Sequence, residues 1–332
     1  MVVGLIAVLV VVLIRLSKVE ETVYGTTPVQ VISAPVKEGT DASHYEDKIA
    51  LNWGHLVTNV ASAREKFGVT GEGVKVAIIS TGIDVNHEVF EAREIKARSF
   101  IPSGEPDSKI HDSDGDGTFL AGLITSIAPN CQLYIAKALR NDGVTSNGQD
   151  PWILPAIEWA IEEECDIILL PLGTNLPDGE YPQSYQTLAQ HALSRGCLVV
   201  GSAGNMSDRL NASIASVSRP ANCPSIVAVT SVDRKLAVSN FAPRGTDASP
   251  IHLAAPGEKI LSIAPDDQME LRTGTNVSAA YVAGILALVK EGSPNKSGLD
   301  LYNSVRNSAQ KPNAKEDYGH GLVDAKAALE QE

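Results

Sequence analysis

Apolar and polar positions fall into two alternating patterns along most of this chain. Short apolar runs are typical of strands that a parallel sheet buries on both faces. They lie at 74–79, where Lys75 interrupts the run, and at 167–170, 198–200 and 226–229. Amphipathic segments between and after these runs predict helices at 118–127, within 151–164, at 185–195 and at 277–291. Strands that alternate with helices predict an α/β domain with a mainly parallel sheet, whose site lies beyond the carboxyl ends of the strands.

The amino-terminal segment has a different pattern from the rest of the chain. Residues 2–14 form an uninterrupted apolar run, and Arg15 and Lys18 follow it. As a helix this run would reach about 20 Å, which is short of a hydrocarbon core of about 30 Å. Tilting or local thinning of the bilayer can close such a gap. We therefore predict a membrane anchor, with a cleaved signal segment and a buried helix as the alternatives.

These patterns divide the chain into three parts. Residues 1–18 are the hydrophobic segment, residues 19–50 are polar and read as a linker, and residues 51–332 form one globular domain. The positive charges that follow the apolar run favour, by charge bias alone, a cytoplasmic domain.

Composition narrows the classes of partner. The chain has 332 residues and a net charge of −13, and its basic residues are scattered, so nothing predicts a nucleic-acid partner. None of the four cysteines belongs to a CxxC pair, which argues against zinc and thioredoxin-type sites. Most of them lie in apolar runs, as small buried hydrophobes do, and one disulfide stays open. They are Cys131, Cys165, Cys197 and Cys223.

Six segments carry a resemblance to a known family. They are GEGVKVAIISTGIDVNH at 71–87, DSDGDGTFLAG at 112–122, DIILLPLG at 166–173, VVGSAGN at 199–205, GTNVSAAYVAG at 274–284 and GHGLVDA at 319–325. In this order and spacing they resemble the signature blocks of subtilisin-like serine proteases (subtilases), from about residue 50 to 330. The resemblance implies a three-layer subtilisin-like α/β fold, with a mainly parallel central sheet flanked by helices. It also implies an extracytoplasmic location, against the charge bias, so the side of the membrane stays open.

The same blocks depart from the family at all three catalytic positions. Ser80 stands where the family carries its catalytic aspartate, Asp116 where it carries the histidine, and Asn276 where it carries the nucleophilic serine. Phe119 replaces a second histidine of the family pattern. Asn205 matches the asparagine that helps to form the oxyanion hole, and it is retained.

These substitutions remove the groups that the family mechanism needs. A serine protease uses a hydroxyl nucleophile, an imidazole that takes and returns its proton, and a carboxylate that orients the imidazole. An amide is not a nucleophile, and a carboxylate with a pKa near 4 is a poor base for an alcohol. No catalytic residue is therefore expected to be active.

Other residues offer alternative roles at the site. Ser80 and Asp116 are predicted to form a hydroxyl–carboxylate hydrogen bond that fills the site, with a rebuilt catalytic pair as the sharper hypothesis. Ser278 follows Asn276 by two residues and is expected to point away from the cleft. His87 and His111 flank the site in sequence, and His87 matches a structural histidine of the family.

Two further interpretations concern Asn276 and a group of three aspartates. Asn276 is expected at the start of a long helix, and asparagine is among the residues that best cap one. Asp112, Asp114 and Asp116 match the first half of an EF-hand calcium loop, but its twelfth position is Leu123 instead of glutamate. No cofactor is predicted, although a calcium ion at these carboxylates stays open.

Three functions follow from this reading. The first is a catalytically inactive subtilase that binds a peptide or protein partner in the former substrate cleft, anchored to the membrane through residues 2–14. The second is a regulatory subunit that pairs with an active homologue. The third is a hydrolase with a rebuilt site around Asp116 and Ser80.

Overall fold

The computed structural model describes residues 30–33, 48, 52–105, 107–140, 147–148, 150–174, 181–310 and 318–331. The apolar run 2–14 and most of the predicted linker 19–50 lie outside these residues. Within the described parts of the chain, no helix combines the length and the apolar character that crossing a membrane requires.

The described elements alternate between strands and helices. The strands are β1 (Gln30–Ser33), β2 (Lys75–Ser80), β3 (Glu94–Ser99), β4 (Gln132–Lys137), β5 (Leu139–Arg140), β6 (Asn147–Gly148), β7 (Ile167–Leu170), β8 (Leu198–Ser202), β9 (Val227–Val232), β10 (Leu253–Pro256), β11 (Ile260–Ala264) and β12 (Gln268–Arg272). The helices are α1 (Trp53–Val57), α2 (Val60–Phe67), α3 (Asp116–Ile127), α4 (Asp150–Glu162), α5 (Gln183–Ser194), α6 (Thr275–Gly292), α7 (Gly298–Ser308) and α8 (Ala325–Leu329). Each of the four predicted helices is present, with bounds that shift by a few residues.

Eight strands form one sheet in the order β1-β3-β4-β2-β7-β8-β9-β10. All neighbouring pairs are parallel except β1 with β3. Strand β2 lies between β4 and β7. The strands that follow β2 in sequence are first added on one side of it, as β3 and β4, and then on its other side, from β7 to β10. Such a reversal of strand order opens a crevice at the carboxyl ends of the strands. This confirms the mainly parallel sheet and puts the end of β2 at the expected position of a site.

Two apolar clusters cover the two faces of the sheet and give the fold its three layers. One face packs against α3 and α6, and the other packs against α4 and α5. Residues 277–289 of α6 are all buried, as expected for a helix that is apolar on every side. Gly284 lets α6 approach α3 closely, because a Cβ atom there would lie 2.9 Å from Cβ of Ile127. The three-layer α/β prediction is confirmed.

Part of the segment predicted as a linker joins the sheet. Strand β1 pairs antiparallel with β3, with Gln30 opposite Ala97 and Ser33 opposite Glu94. An edge strand presents unpaired N–H and C=O groups that a short extended segment can satisfy. The prediction of a linker at 19–50 therefore missed that four of its residues pair with the edge of the sheet.

The four cysteines are buried and carry free thiols. Burial raises the pKa of Cys131 and of Cys223 to about 12, so both stay protonated at neutral pH. The disulfide left open by the sequence is not formed, and the interpretation of these residues as small buried hydrophobes is confirmed.

Candidate functional site

The three positions that match the catalytic triad lie at the ends of elements around the crevice. Ser80 is the last residue of β2, Asp116 is the first residue of α3, and Asn276 is the second residue of α6. The start of α3 lies against the loop after β2, where the Gly117 N–H donates to Oγ1 of Thr81 at 3.0 Å. The sequence motifs therefore placed Ser80 and Asp116 on adjoining segments.

Ser80 is almost completely buried, at 1% exposure, and its hydroxyl has no hydrogen-bond partner among the described residues. The predicted hydroxyl–carboxylate bond to Asp116 is wrong. The bond does not form because the Asp116 carboxylate already binds the guanidinium of Arg272. Charge-assisted hydrogen bonds are stronger than those of a neutral hydroxyl. Ser80 therefore lacks the adjacent base that activates a serine nucleophile.

Asp116 is held by Arg272, the last residue of β12. Nη1 of Arg272 donates to Oδ1 of Asp116, and Nη2 donates to the Asp114 carbonyl at 3.1 Å and to the Glu270 carboxylate at 3.1 Å. The guanidinium also lies over the ring of Phe119, 5.4 Å from its centroid. Burial raises the pKa of the Asp116 carboxyl, and the charge of Arg272 offsets part of that rise. Asp116 is thus one half of an ion pair.

Asn276 does not cap α6. The helix begins at Thr275, and its N-cap is Gly274, with no hydrogen bond from a cap side chain. The predicted capping role is therefore wrong, because the helix starts two residues earlier than that role requires. The half-buried side chain of Asn276 folds back over Gly274, where an added Cβ atom would lie 2.2 Å from its Oδ1. Only glycine leaves room for this arrangement.

Asn205 follows β8 and is fixed against the start of α6. Its Oδ1 accepts from the Thr275 N–H at 2.9 Å and from the Thr275 hydroxyl at 3.0 Å. The Thr275 hydroxyl in turn accepts from the Gly204 N–H at 3.0 Å. With its oxygen engaged, the amide turns Nδ2 towards Gly274, 3.2 Å from where a Cβ atom there would lie. This leaves a positioned N–H donor beside Asn276, at the place expected for the oxyanion-hole asparagine.

The acidic residues before α3 are engaged in hydrogen bonds. Asp112 is completely buried, and it accepts from the Gly115 N–H at 2.8 Å and from the N–H and hydroxyl of Thr118 at 2.8 and 2.7 Å. These bonds satisfy donors at the start of α3. In the described parts of the chain, no group of three histidine, cysteine or acidic side chains is arranged to hold a metal ion. The contacts of Asp112 are those of a structural residue.

The two histidines near the site have separate positions. His87 is buried, its Nδ1 accepts from the Val89 N–H at 3.2 Å, and its Nε2 donates to the Gln268 carbonyl at 3.3 Å. Burial lowers the pKa of His87. His111 has an exposed side chain, and its carbonyl accepts from Lys137 at 2.6 Å. The structural interpretation of His87 agrees with these contacts, and neither histidine contacts Asp116.

Ser278 lies on the side of α6 that packs against the loop after β10. It is completely buried, and a Cβ atom on Gly257 would lie 2.2 Å from its Oγ. Its hydroxyl has no hydrogen-bond partner among the described residues. This position agrees with the expectation that Ser278 points away from the cleft.

Sequence reasoning missed two charged residues of this region. Lys137 is completely buried at the end of β4, directly opposite Ser80 in the sheet register. Its ammonium donates to the His111 carbonyl and, at 3.1 Å, to Asp107, and burial lowers its pKa. A lysine within the apolar run LYIAKAL was a readable signal. Arg272 gave none, because its partner Asp116 is 156 residues away in sequence.

Comparisons with known proteins agree with this geometry. The profile of the peptidase S8 family, described as the subtilase family, matches residues 71–321. Subtilisin BL and subtilisin Savinase of Lederbergia lenta are each 32% identical to this chain over 288 residues, which covers 84% of this chain and 98% of each relative. The alkaline protease of Alkalihalobacillus alcalophilus is 32% identical over 288 residues, which covers 84% of this chain and 70% of that protein.

Two solved structures are similar in fold. MycP1 with its N-terminal propeptide removed has a TM-score of 0.69 at 23% identity, covering 84% of this chain and 96% of its own. The MycP3 protease from the type VII (ESX-3) secretion system has a TM-score of 0.70 at 24% identity, covering 91% of this chain and 94% of its own. At these identities the likeness concerns the fold.

Proposed function

This chain belongs to the subtilase family, and on that premise we propose that it is a member without peptidase activity whose former cleft binds a peptide or protein segment. The carrying observation is the Asp116–Arg272 contact. The residue at the histidine position is an acid engaged by a cation, so it is not free to accept a proton from a nucleophile. Asn276 at the serine position has no hydroxyl to donate one.

The retained half of the site supports the binding part of the proposal. Asn205 keeps an oriented amide N–H donor beside the start of α6. A fixed donor of this kind suits the carbonyl oxygen of a bound peptide, and it needs no nucleophile to do so. We extend the proposal to membrane association through residues 2–14, with the domain on the extracytoplasmic side. A regulatory pairing with an active homologue is one form of the same binding role.

The rebuilt hydrolase is the less favoured alternative. It requires Ser80 to give its proton to Asp116, but the Ser80 hydroxyl has no partner and Asp116 contacts Arg272. A fluorophosphonate probe tests both readings, because it labels only an activated serine. We expect the purified chain to remain unlabelled and to cleave nothing in a broad peptide library, while subtilisin Savinase does both. Labelling at one serine, abolished by its change to alanine, would establish an active site.

A displayed peptide library tests binding in the same preparation. We expect the chain to select peptides, and Asn205→Ala to weaken their binding about fivefold, the effect of one lost hydrogen bond. Asn307→Ala is the matched control. Asn307 is exposed on α7. Helix α7 follows α6, whose far end lies about 27 Å from its start. Equal loss in both variants, or no selected peptide, would remove the support for cleft binding.

A further inference from the structure

Two of the substituted positions contact the same side chain. The family pattern carries histidines where this chain has Asp116 and Phe119, one turn apart on α3. Arg272 donates to the carboxylate of Asp116 and lies over the ring of Phe119. An arginine over an aromatic face gains a cation–π attraction as well as its ion pair. The two substitutions and Arg272 therefore form one unit, which we call the arginine cluster: Asp116, Phe119 and Arg272.

Contacts at both ends of the β11–β12 hairpin hold this cluster in place. At the turn, Asp84 accepts from the Asp266 N–H at 2.9 Å, and Asp267 accepts from the Glu88 N–H at 2.9 Å. At the other end, Arg272 reaches the Asp114 carbonyl. Because the hairpin is attached at its turn and at its last residue, the guanidinium stays next to the first residue of α3.

A fixed guanidinium at this place opposes serine protease chemistry. The mechanism requires an imidazole at position 116 to become positively charged as it takes the proton of the serine. Arginine is always protonated, and a like charge within a few ångströms disfavours the imidazolium. A guanidinium is also a strong partner for a carboxylate, so it would compete for the acid that should orient the imidazole.

We propose that Arg272 is a positioning residue that keeps the former active site inactive, so that restoring the three catalytic side chains does not restore their chemistry while Arg272 is present. This rests on the proposed function, because it concerns how a site without activity is maintained. The site is inactive for two separable reasons, the missing catalytic groups and the guanidinium that lies beside their positions.

Restoring the triad with and without the arginine tests the proposal. The starting protein is the full chain with Ser80→Asp, Asp116→His and Asn276→Ser, and the second protein adds Arg272→Gln. We expect the second to react with a fluorophosphonate at least about tenfold faster. The introduced imidazole, titrated by NMR, is expected to gain about one pKa unit or more when the guanidinium is removed. Arg272→Lys, which keeps the charge, separates this electrostatic shift from a structural one.

Three controls separate charge from folding and from the proposed function. Arg272→Lys in the restored protein keeps the charge and should remain slow. Arg195→Gln removes a distant surface arginine, 3.8 Å from Glu164, and should change neither readout. Thermal unfolding verifies that each protein is folded, and Arg272→Met replaces Arg272→Gln as the charge-removing variant if the latter is not.

The outcomes are distinct. A faster reaction together with a higher imidazole pKa supports the proposal. Equal labelling with and without Arg272, or an unchanged imidazole pKa, overturns it, including the case in which neither restored protein reacts. Labelling of the unmodified chain would instead contradict the proposed function, and it leaves this comparison of restored proteins intact.

Discussion

The two sides of the candidate site are held by different kinds of interaction. On the Asn205 side, neutral hydrogen bonds to Thr275 fix the end of β8 to the start of α6. On the Asp116 side, an ion pair with Arg272 fixes the start of α3 to β12. The first side consists of residues that match the family motifs, and the second contains both histidine substitutions.

This difference separates peptide binding from proton transfer. The side that would hold a carbonyl oxygen keeps its donor, and the side that would move a proton has become an ion pair. Each side is anchored to its own strand, β8 or β12, so one can change while the other stays in place. Under the proposed function, a protease fold has lost its proton-transfer groups and has kept the hydrogen-bond donor of Asn205.

Both sides nevertheless depend on the packing of α3 against α6. The largest effect that we expect is a weakening of this packing in acid. His55 joins the two helices, with Nδ1 2.9 Å from the Tyr281 hydroxyl and Nε2 3.0 Å from the Ser126 hydroxyl. Burial lowers the pKa of His55 to about 4. Below pH 6.5 the unfolded chain binds a proton that the folded chain binds only near pH 4, so stability falls as the pH falls through this range.

We expect this histidine to account for a loss of about 3 kcal/mol in unfolding free energy between pH 7 and pH 4. Urea unfolding across that range measures it, and His55→Gln should flatten the pH dependence. Burial also lowers the pKa of His252 to about 4, so His252→Gln is the comparison and should remove a separate share. An unchanged pH dependence in His55→Gln would exclude His55 as the source.

The second-largest loss in unfolding free energy is expected from a change at Thr275, on the Asn205 side. Thr275 is completely buried, and its hydroxyl donates to Asn205 and accepts from the Gly204 N–H. Thr275→Val keeps the shape, but it removes the acceptor of the Gly204 N–H and one of the two donors to Asn205, so we expect a loss of about 2 kcal/mol in unfolding free energy. Urea unfolding measures the loss.

The control for this change is a buried threonine with a simpler contact. Thr125 donates only to the Gly122 carbonyl of its own helix, at 3.1 Å. Thr125→Val should cost less than half as much, because that carbonyl can keep its helical partner. Equal losses in the two variants would mean that the contact between β8 and α6 adds nothing specific.

How much of this could be read from sequence differs between the sheet and the site. The apolar run at 167–170 matches β7 residue for residue, because burial on both faces leaves an unbroken hydrophobic pattern. Strand β12 was not predicted. Its five residues QMELR are mostly exposed or half-buried, so no apolar run marks it, and Arg272 lies on this strand.

The three triad positions were identified from motifs, but their contacts were not. A residue preference suggested that Asn276 caps α6, yet Asn205 already accepts from the N–H at the start of that helix. A short distance in the family fold suggested a bond between Ser80 and Asp116, yet a charged partner from β12 binds the acid. Both errors arise from contacts between distant segments, which local patterns do not carry.

The smallest expected effect sharpens the contrast on the Asp116 side. Side chains of Asp116 and Arg272 are 25% and 18% exposed, so water screens their attraction only in part. A double-mutant cycle with Asp116→Asn and Arg272→Gln should give a coupling of about 1 kcal/mol in unfolding free energy at pH 7. Because burial raises the pKa of Asp116, the coupling should shrink as falling pH protonates this acid.

The pair Lys66–Glu330 is the matched control, since its side chains are 50% and 44% exposed. The same cycle there should give no measurable coupling, because solvent screens exposed charges and the long side chains lose freedom when they pair. If the two cycles agree, the Asp116–Arg272 contact is an ordinary surface ion pair and the two sides of the site do not differ in kind. A larger coupling at Asp116 that disappears in acid means that charge holds this side, as hydrogen bonds hold the other.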